Sequence, residues 1–155
     1  MSEFLNDLLR HKRYVGQYLR LAADDLIDRA LVHDDSKFSS EEFGLYEAAF
    51  PKFKLVTYGT EEYKQVARSL GPALEHHFSV NRHHPEFFED GVAGMDAMDL
   101  KEMICDWLAA SMRSNLDIRE GLLLNKKKFG IDDQLFSIIE HTIDRLLVLY
   151  AYEYQ

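Results

Sequence analysis

The spacing of apolar residues constrains the fold of this chain more than any other feature of its sequence. After Met98-Asp99, apolar side chains recur at every third or fourth position, as they do on one face of an α-helix; they are Leu100, Met103, Ile104, Trp107 and Leu108. The same period returns after Asp132, and no strand-like alternation outcompetes it. With 155 residues, of which 46% are hydrophobic, the chain can bury one core. The sequence therefore predicts an all-α fold, a single-domain bundle of about five to seven helices over residues 1–155.

Local signals near the N-terminus predict two helices. Ser2 is a candidate N-cap for the first, and His11 falls within its apolar stripe, so we expect the His11 side chain to face inward. Asp24-Asp25 interrupts the stripe and predicts the start of a second helix. That second helix would carry His33-Asp34 near its C-terminal end, beside its apolar face.

Several residues predict where later helices begin and end. Ser39 and Glu42 have the spacing of a capping box for a short helix, and Pro51 is expected to end that helix. Gly71-Pro72 predicts a break or a kink in the following helical pattern. Asn115 to Lys128 is expected to continue helically, with Gly130 after it as a C-terminal signal.

Charge and composition exclude several classes of protein. The 18 basic and 27 acidic residues leave a formal charge of −9, which repels a long nucleic acid. The single cysteine, Cys105, allows neither an intrachain disulfide nor a thiolate metal cage and fits a reducing compartment. Met1 is followed by no basic segment with a long apolar run, and no window approaches the roughly 20 apolar residues of a membrane span. We expect a soluble, cytoplasmic protein, and its oligomeric state stays open.

The segment His33-Asp34-Asp35-Ser36-Lys37 carries the first chemical signal. A neutral imidazole beside a carboxylate favours a divalent metal such as iron, manganese or zinc, and the Lys37 ammonium can hold a phosphate group. An ionised aspartate beside an apolar stripe costs several kcal/mol unless a cation or several donors compensate it. A metal is one such partner, and a lysine or a set of capping donors is the alternative.

A histidine-rich segment carries the second signal. Four of the seven histidines, His76, His77, His83 and His84, lie within nine positions. Because Pro85 disfavours a helical conformation at the residue before it, the last two are expected in a turn beyond the helix that carries His77. An exposed histidine-rich surface is the alternative, but convergence on a metal is favoured because inward-facing ligand types recur elsewhere in the chain.

Two acids on the helix after Met98 have two interpretations each. Asp106 and Glu102 lie at the edge of the apolar stripe, where each either contributes to a metal site or faces solvent. For Glu102 the residue pattern favours a solvated face. For Asp106 the residue pattern leaves both interpretations open.

The ligand types and their order resemble the HD-domain superfamily of metal-dependent phosphohydrolases. Its signature is a histidine on one helix, a His-Asp pair on the next and a distant aspartate on a later helix, matched here by His11, His33-Asp34 and Asp106. A lysine follows the pair in the common form of the motif, as Lys37 does. The chain also resembles small uncharacterised bacterial and phage proteins with HD-S-K-F, N-x-H-H and acid-x-x-x-D-W strings.

The same resemblance implies a second metal. Members with two metals carry additional histidines between the pair and the last aspartate, which implies His77, His83 and His84 as ligands. The short gap between these histidines leaves open whether His76 replaces His77 and whether one or two metals bind. No Gly-Tyr-Pro follows them, so the resemblance does not extend to the cyclic-dinucleotide phosphodiesterases named for that tripeptide.

The function that the resemblance implies is hydrolysis of a phosphate ester by metal-activated water, with a nucleotide or similar small phosphorylated metabolite as substrate. Asp34 would bridge the metals, Lys37 would stabilise the phosphoryl group, and Arg82 and Asn81 are further candidates for substrate contact. Two alternatives remain: a diiron oxygenase of the HD type, and a non-catalytic protein that binds a nucleotide through a metal.

Overall fold

Seven α-helices contain most of the residues that the structure describes, and no described residue lies in a strand. The structure is a computed structural model that describes residues 2–114 and 117–154. In chain order, the helices are α1 (Glu3–Val32), α2 (Phe43–Phe53), α3 (Glu61–Ser69), α4 (Pro72–Val80), α5 (Ala97–Ser114), α6 (Ile118–Phe129) and α7 (Asp133–Tyr154). Three short 3-10 helices, at Asp35–Phe38, Pro85–Phe87 and Gly91–Gly94, connect them. The predicted all-α class and number of helices are confirmed.

The chain divides into two units, at residues 1–33 and 34–155, and the second unit holds the buried core. Helices α5, α6 and α7, together with the connection between α6 and α7, supply its apolar side chains, because each helix carries an apolar stripe with helical spacing. The buried members are Met103, Ile104, Leu122, Ile131, Phe136, Ile139 and Ile143. At the edge of this core, the Trp107 ring stacks on Phe129 at 6.0 Å between centroids. The helix predicted after Met98 therefore does bury the stripe that the sequence showed.

The first unit is a single continuous helix, so the predicted interruption at Asp24-Asp25 is wrong. No proline or glycine lies near these aspartates to break the helix, and Arg29 donates to the Asp25 carboxylate one turn away at 2.7 Å, which favours helix. None of the side chains of α1 is buried. His11 in particular is exposed, so the prediction that it faces inward is also wrong.

The signals around α2 were misread in two ways. Glu42 is the N-cap residue of α2, but its side chain makes no capping hydrogen bond and is fully buried instead. Pro51 lies inside α2, which continues to Phe53. A proline this close to the end of a helix removes one of the last backbone hydrogen bonds and leaves the preceding turns intact.

The remaining boundary signals hold. Gly71, with φ 45° and ψ −115°, separates α3 from α4 in a conformation that a side chain would strain, which confirms the predicted break. Gly130 takes a left-handed conformation directly after α6, as a C-terminal glycine should. The prediction for Asn115 to Lys128 is met from Ile118 onward, whereas residues 115 and 116 lie outside the described residues. None of the described helices is long and apolar enough to cross a membrane.

Two neighbouring isoleucines on α7 test this core. Ile139 is completely buried, whereas Ile138 is 54% exposed. We expect Ile139→Ala to lower the free energy of unfolding by about 2–5 kcal/mol because it leaves a cavity, and Ile138→Ala to lower it by about 0.5 kcal/mol or less. Chemical denaturation followed by circular dichroism measures both values. Equal losses for the two variants would contradict the described packing of α7.

Candidate metal centre

An unusual backbone conformation places the Asp34 carboxylate. The chain leaves α1 after Val32, and Asp34 takes a left-handed conformation with φ 62°, the only positive φ at a described residue other than glycine. Such conformations cost free energy and cluster at functional sites, although aspartate tolerates them better than most residues. The 3-10 helix that follows brings the Lys37 ammonium to 2.5 Å from Asp34 Oδ2.

Three histidines from α4 and the turn after it point imidazole nitrogens at Asp34. The Nε2 atoms of His77 and His83 lie 3.3 and 3.4 Å from Asp34 Oδ1. The Nε2 atom of His84 lies 2.9 Å from that of His77. We call Asp34, His77, His83 and His84 the ligand cluster, because one donor atom from each lies within 4.8 Å of all the others.

The distances within the ligand cluster fit a metal ion. Ligand atoms at roughly 2.0–2.1 Å from a tetrahedral zinc lie about 3.3 Å from one another, and octahedral ligands lie about 3.0 Å apart. The measured separations of 2.9, 3.3 and 3.4 Å match these values. His77 and His83 are each only 2% exposed, so the donor atoms meet in the interior of the second unit. The cluster can therefore hold a divalent metal.

The electrostatics favour the metal-binding forms of two cluster residues, Asp34 and His84. Burial raises the pKa of Asp34, but the contacts with His77 and His83 and the charge of Lys37 outweigh burial and hold this pKa well below its ordinary value. Burial lowers the pKa of His84 to about 3, and the two neighbouring histidine rings lower it too, whereas nearby carboxylates act in the opposite direction. An ionised carboxylate thus lies beside a neutral imidazole, and both forms bind metals.

Carboxylates contact the outer nitrogens of two cluster histidines. Glu102 Oε1 lies 3.1 Å from His83 Nδ1, and Glu42 Oε2 lies 3.0 Å from His77 Nδ1. Metal-binding histidines usually donate their second ring N–H to a carboxylate, which orients the ring toward the metal. The expectation that Glu102 faces solvent is therefore wrong, because its side chain is 14% exposed and contacts His83.

Three predicted ligands, Asp106, His33 and His11, are not members of the ligand cluster. A carboxylate oxygen of Asp106, one turn after Glu102 on α5, lies within 4.8 Å of an Asp34 oxygen. His33 is the C-cap residue of α1 and directly precedes Asp34 in the chain. His11 is exposed on α1. The metal-ligand roles of His33, His11 and Asp106 stay predictions.

A family model matches residues 1–145 of the chain, a range that includes the whole ligand cluster and both supporting carboxylates. The chain belongs to the family of unknown function DUF5662. No curated protein and no solved structure matches it. Because the DUF5662 description assigns no activity, the function has to be argued from the chemistry of the cluster.

In this DUF5662 chain, the two predicted substrate contacts after α4 already have protein partners. Arg82 donates to both carboxylate oxygens of Asp99, at 3.0 and 2.8 Å, and its guanidinium lies 4.9 Å from the Phe88 ring centroid. Asn81 donates through its amide nitrogen to Ser36 Oγ and to the His77 carbonyl oxygen, both at 2.8 Å. These contacts stabilise the turn and tie it to the 3-10 helix after Asp34. Substrate binding by either residue stays a prediction.

The sequence does not reveal that Glu42 supports the site, and it leaves open whether His76 or His77 is the ligand. His77 is the one whose Nε2 joins the ligand cluster, whereas His76 Nδ1 contacts Glu42 Oε1 at 2.7 Å. The spacing of Ser39 and Glu42 had suggested a helix cap, a local role that accounted for Glu42 without any distant partner. No local signal reveals a contact across 35 residues of sequence.

Metal analysis tests the cluster directly. We expect the protein to bind zinc or manganese with at least one ion per chain, and His84→Ala to reduce the affinity at least about tenfold because it removes one ligand. His141→Ala is the matched control, since His141 is exposed on α7. Competition with a chelating dye measures the affinities. Equal affinities for wild type and His84→Ala would rule out the ligand cluster.

Proposed function

We propose that this protein is a metal-dependent phosphohydrolase of the cytoplasm that acts on a nucleotide or a similar small phosphorylated metabolite. The supporting observation is the ligand cluster, in which three imidazoles meet one ionised carboxylate, together with an ammonium group 2.5 Å from that carboxylate. A metal centre beside a cation is the combination that phosphoryl transfer uses. The resemblance to HD-domain phosphohydrolases supports the same reaction class.

In this proposal, the cluster residues bind the metal and Asp106 contacts a water molecule. Asp34, His77, His83 and His84 would hold one or two ions of iron, manganese or zinc. A bound metal supplies Lewis acidity and an activated water at neutral pH. Asp106 is close enough to Asp34 to accept a hydrogen bond from a water molecule between their carboxylates.

Lys37 is the residue that we assign to the phosphate group. Its ammonium lies beside Asp34 and 5.4 Å from the Tyr46 ring centroid, so it is held at the edge of the cluster. A positive charge fixed there stabilises the negative charge that develops on phosphoryl oxygens during hydrolysis. Arg82 is less suited to this role, because both oxygens of the buried Asp99 already bind its guanidinium.

The charge of the chain supports a small substrate. A formal charge of −9 opposes the approach of a long polyanion, and the described contacts commit several carboxylates, including Glu42 and Glu102, to the surroundings of the cluster. A small molecule with one phosphate-bearing end needs only the metal and Lys37 to neutralise it. A long nucleic acid would need a basic surface along its backbone.

Asp34 should couple metal binding to turnover. Asp34→Asn keeps a residue that tolerates the left-handed backbone but removes the charge, so we expect metal affinity and hydrolysis to be lost together. The measurement is metal content of anaerobically purified protein, followed by a panel of phosphomonoesters, phosphodiesters and nucleoside triphosphates. Full metal content in Asp34→Asn would show that the cluster is wrongly assigned.

The same panel separates the alternatives. Turnover that requires oxygen, with an EPR signal from a mixed-valence iron pair, would replace hydrolysis by oxygenase chemistry. A nucleotide that binds in the presence of Mn²⁺ and remains intact would indicate a binding protein.

Lys37 should affect rate without affecting metal retention. Lys37→Ala removes a positive charge next to a metal ligand, so metal affinity should stay equal or rise, whereas the rate of hydrolysis should fall about 100-fold or more. Lys127→Ala is the control, because Lys127 is an exposed lysine on α6. Steady-state kinetics on the best substrate of the panel measures the rates. Unchanged turnover in Lys37→Ala would refute the phosphate role.

A further inference from the structure

A single buried carboxylate serves two consecutive histidines, of which only one belongs to the ligand cluster. Glu42 is 0% exposed; its Oε1 lies 2.7 Å from His76 Nδ1 and its Oε2 lies 3.0 Å from His77 Nδ1. We infer that Glu42 keeps the ring proton of His77 on Nδ1, and that His76 holds Glu42 in the orientation that does so. Both would then be positioning residues that contribute to metal affinity without touching the metal. The inference rests on the metal site of the proposed function, and it does not depend on hydrolysis.

The hydrogen-bond donors around His77 Nδ1 support this assignment. Two other polar atoms lie near this nitrogen, Ser36 Oγ at 3.0 Å and Asn81 Nδ2 at 3.1 Å. An amide nitrogen has two hydrogens, and Asn81 already donates them to Ser36 Oγ and to the His77 carbonyl oxygen. Asn81 therefore has no hydrogen left for His77 Nδ1.

Ser36 is the remaining donor, but its hydroxyl cannot replace the Nδ1 proton without a penalty. If Ser36 donated to an unprotonated Nδ1, the lone pair of Nδ1 would lie 3.0 Å from Glu42 Oε2, and an ionised carboxylate offers only lone pairs in return. Two acceptors facing each other in a buried site are strongly disfavoured. The proton therefore stays on Nδ1, and the lone pair of Nε2, the nitrogen that faces Asp34, is the one that can bind a metal.

His76 supplies the second donor that the buried Glu42 carboxylate requires. Its side chain is 35% exposed and points its Nδ1 inward at Glu42 Oε1. Without that donor, one oxygen of a completely buried carboxylate would lose its described partner, and the carboxylate could rotate away from His77. His76 would thus act on the metal site only through Glu42.

A double-mutant cycle tests this dependence. Zinc affinity is measured for Glu42→Gln, His76→Leu and the double variant, with His76→Asn as the conservative variant because its amide can donate from the position of Nδ1. We expect Glu42→Gln to weaken zinc binding about 10–100-fold. His76→Leu should weaken it about 2–10-fold, the effect of one hydrogen bond, and His76→Asn should bind like wild type. The double variant should be no weaker than Glu42→Gln alone, because His76 has nothing to position once Glu42 is gone.

Losses that add in the double variant, or a His76→Leu variant that binds zinc like wild type, would refute the role of His76. His141→Leu controls for loss of a histidine elsewhere, since His141 is exposed on α7. Circular dichroism and thermal unfolding of each variant separate a change in affinity from a loss of fold.

A spectroscopic measurement on metal-free, ¹⁵N-labelled protein tests the same inference without any ligand. Long-range ¹H–¹⁵N correlation spectra should show His77 Nδ1 protonated in wild type, and should show this proton weakened or shifted to Nε2 in Glu42→Gln. An unprotonated His77 Nδ1 in wild type would overturn the inference. A wild-type protein that binds no metal would refute both the proposed function and the contribution of Glu42 to metal affinity. A protein that binds zinc and follows the double-mutant cycle but hydrolyses no phosphate ester would refute the proposed function alone and leave the role of Glu42 standing.

Discussion

The contact between the Asp34 carboxylate and the inward nitrogens of His77 and His83 is the interaction on which the rest of the site depends. It brings a carboxylate from the segment after α1 within 3.3 and 3.4 Å of two imidazoles that are almost completely buried. Burial of an ionised carboxylate is costly, and here the histidines and Lys37 offset that cost so far that the pKa of Asp34 is lowered. A site of this kind suits a cation, because its carboxylate is already ionised.

Side chains around this contact hold two of the cluster histidines by their outer nitrogens. Glu42 and Glu102 contact the outer nitrogens of two histidines, and Asn81 links the start of the histidine turn to the 3-10 helix that carries Lys37. Arg82, which lies in the same turn, donates a hydrogen bond to the Asp99 carboxylate on α5. Rigid support of this kind would reduce the entropy lost if a metal binds. It also gives a role to the polar residues around the ligand cluster, which the apolar core of α5, α6 and α7 does not require.

Particular residues show how far sequence reasoning reaches. The helices of the second unit were predictable, because glycines such as Gly71 and Gly130 and apolar stripes such as that of α5 act over a few residues. The histidines at the end of α4 and in the turn after it were also identifiable as candidate ligands, since four of the seven histidines lie within nine positions. Glu42 lacks its expected role as a helix cap because its carboxylate contacts the distant His76 and His77 instead. Pro51 does not end α2 because a proline this close to the end of a helix leaves the preceding turns intact. Arg82 has the chemistry of a phosphate ligand, and nothing nearby in sequence shows that Asp99 binds it.

The sequence by itself determined the all-α class and the ligand types, since helical periodicity and side-chain chemistry are properties of short segments. It also singled out the pair His33-Asp34 with Lys37, which share one turn of chain. Only the tertiary structure decided which of His76 and His77 contacts Asp34 and which nitrogen of that imidazole ring faces inward. It also decided which carboxylates contact the outer nitrogens of the histidines. Those outcomes depend on residues far apart in sequence that packing brings within hydrogen-bond distance, and on the left-handed backbone at Asp34. The separations of 2.9 to 3.4 Å between the donor atoms are set by that packing, which no pattern along the chain encodes.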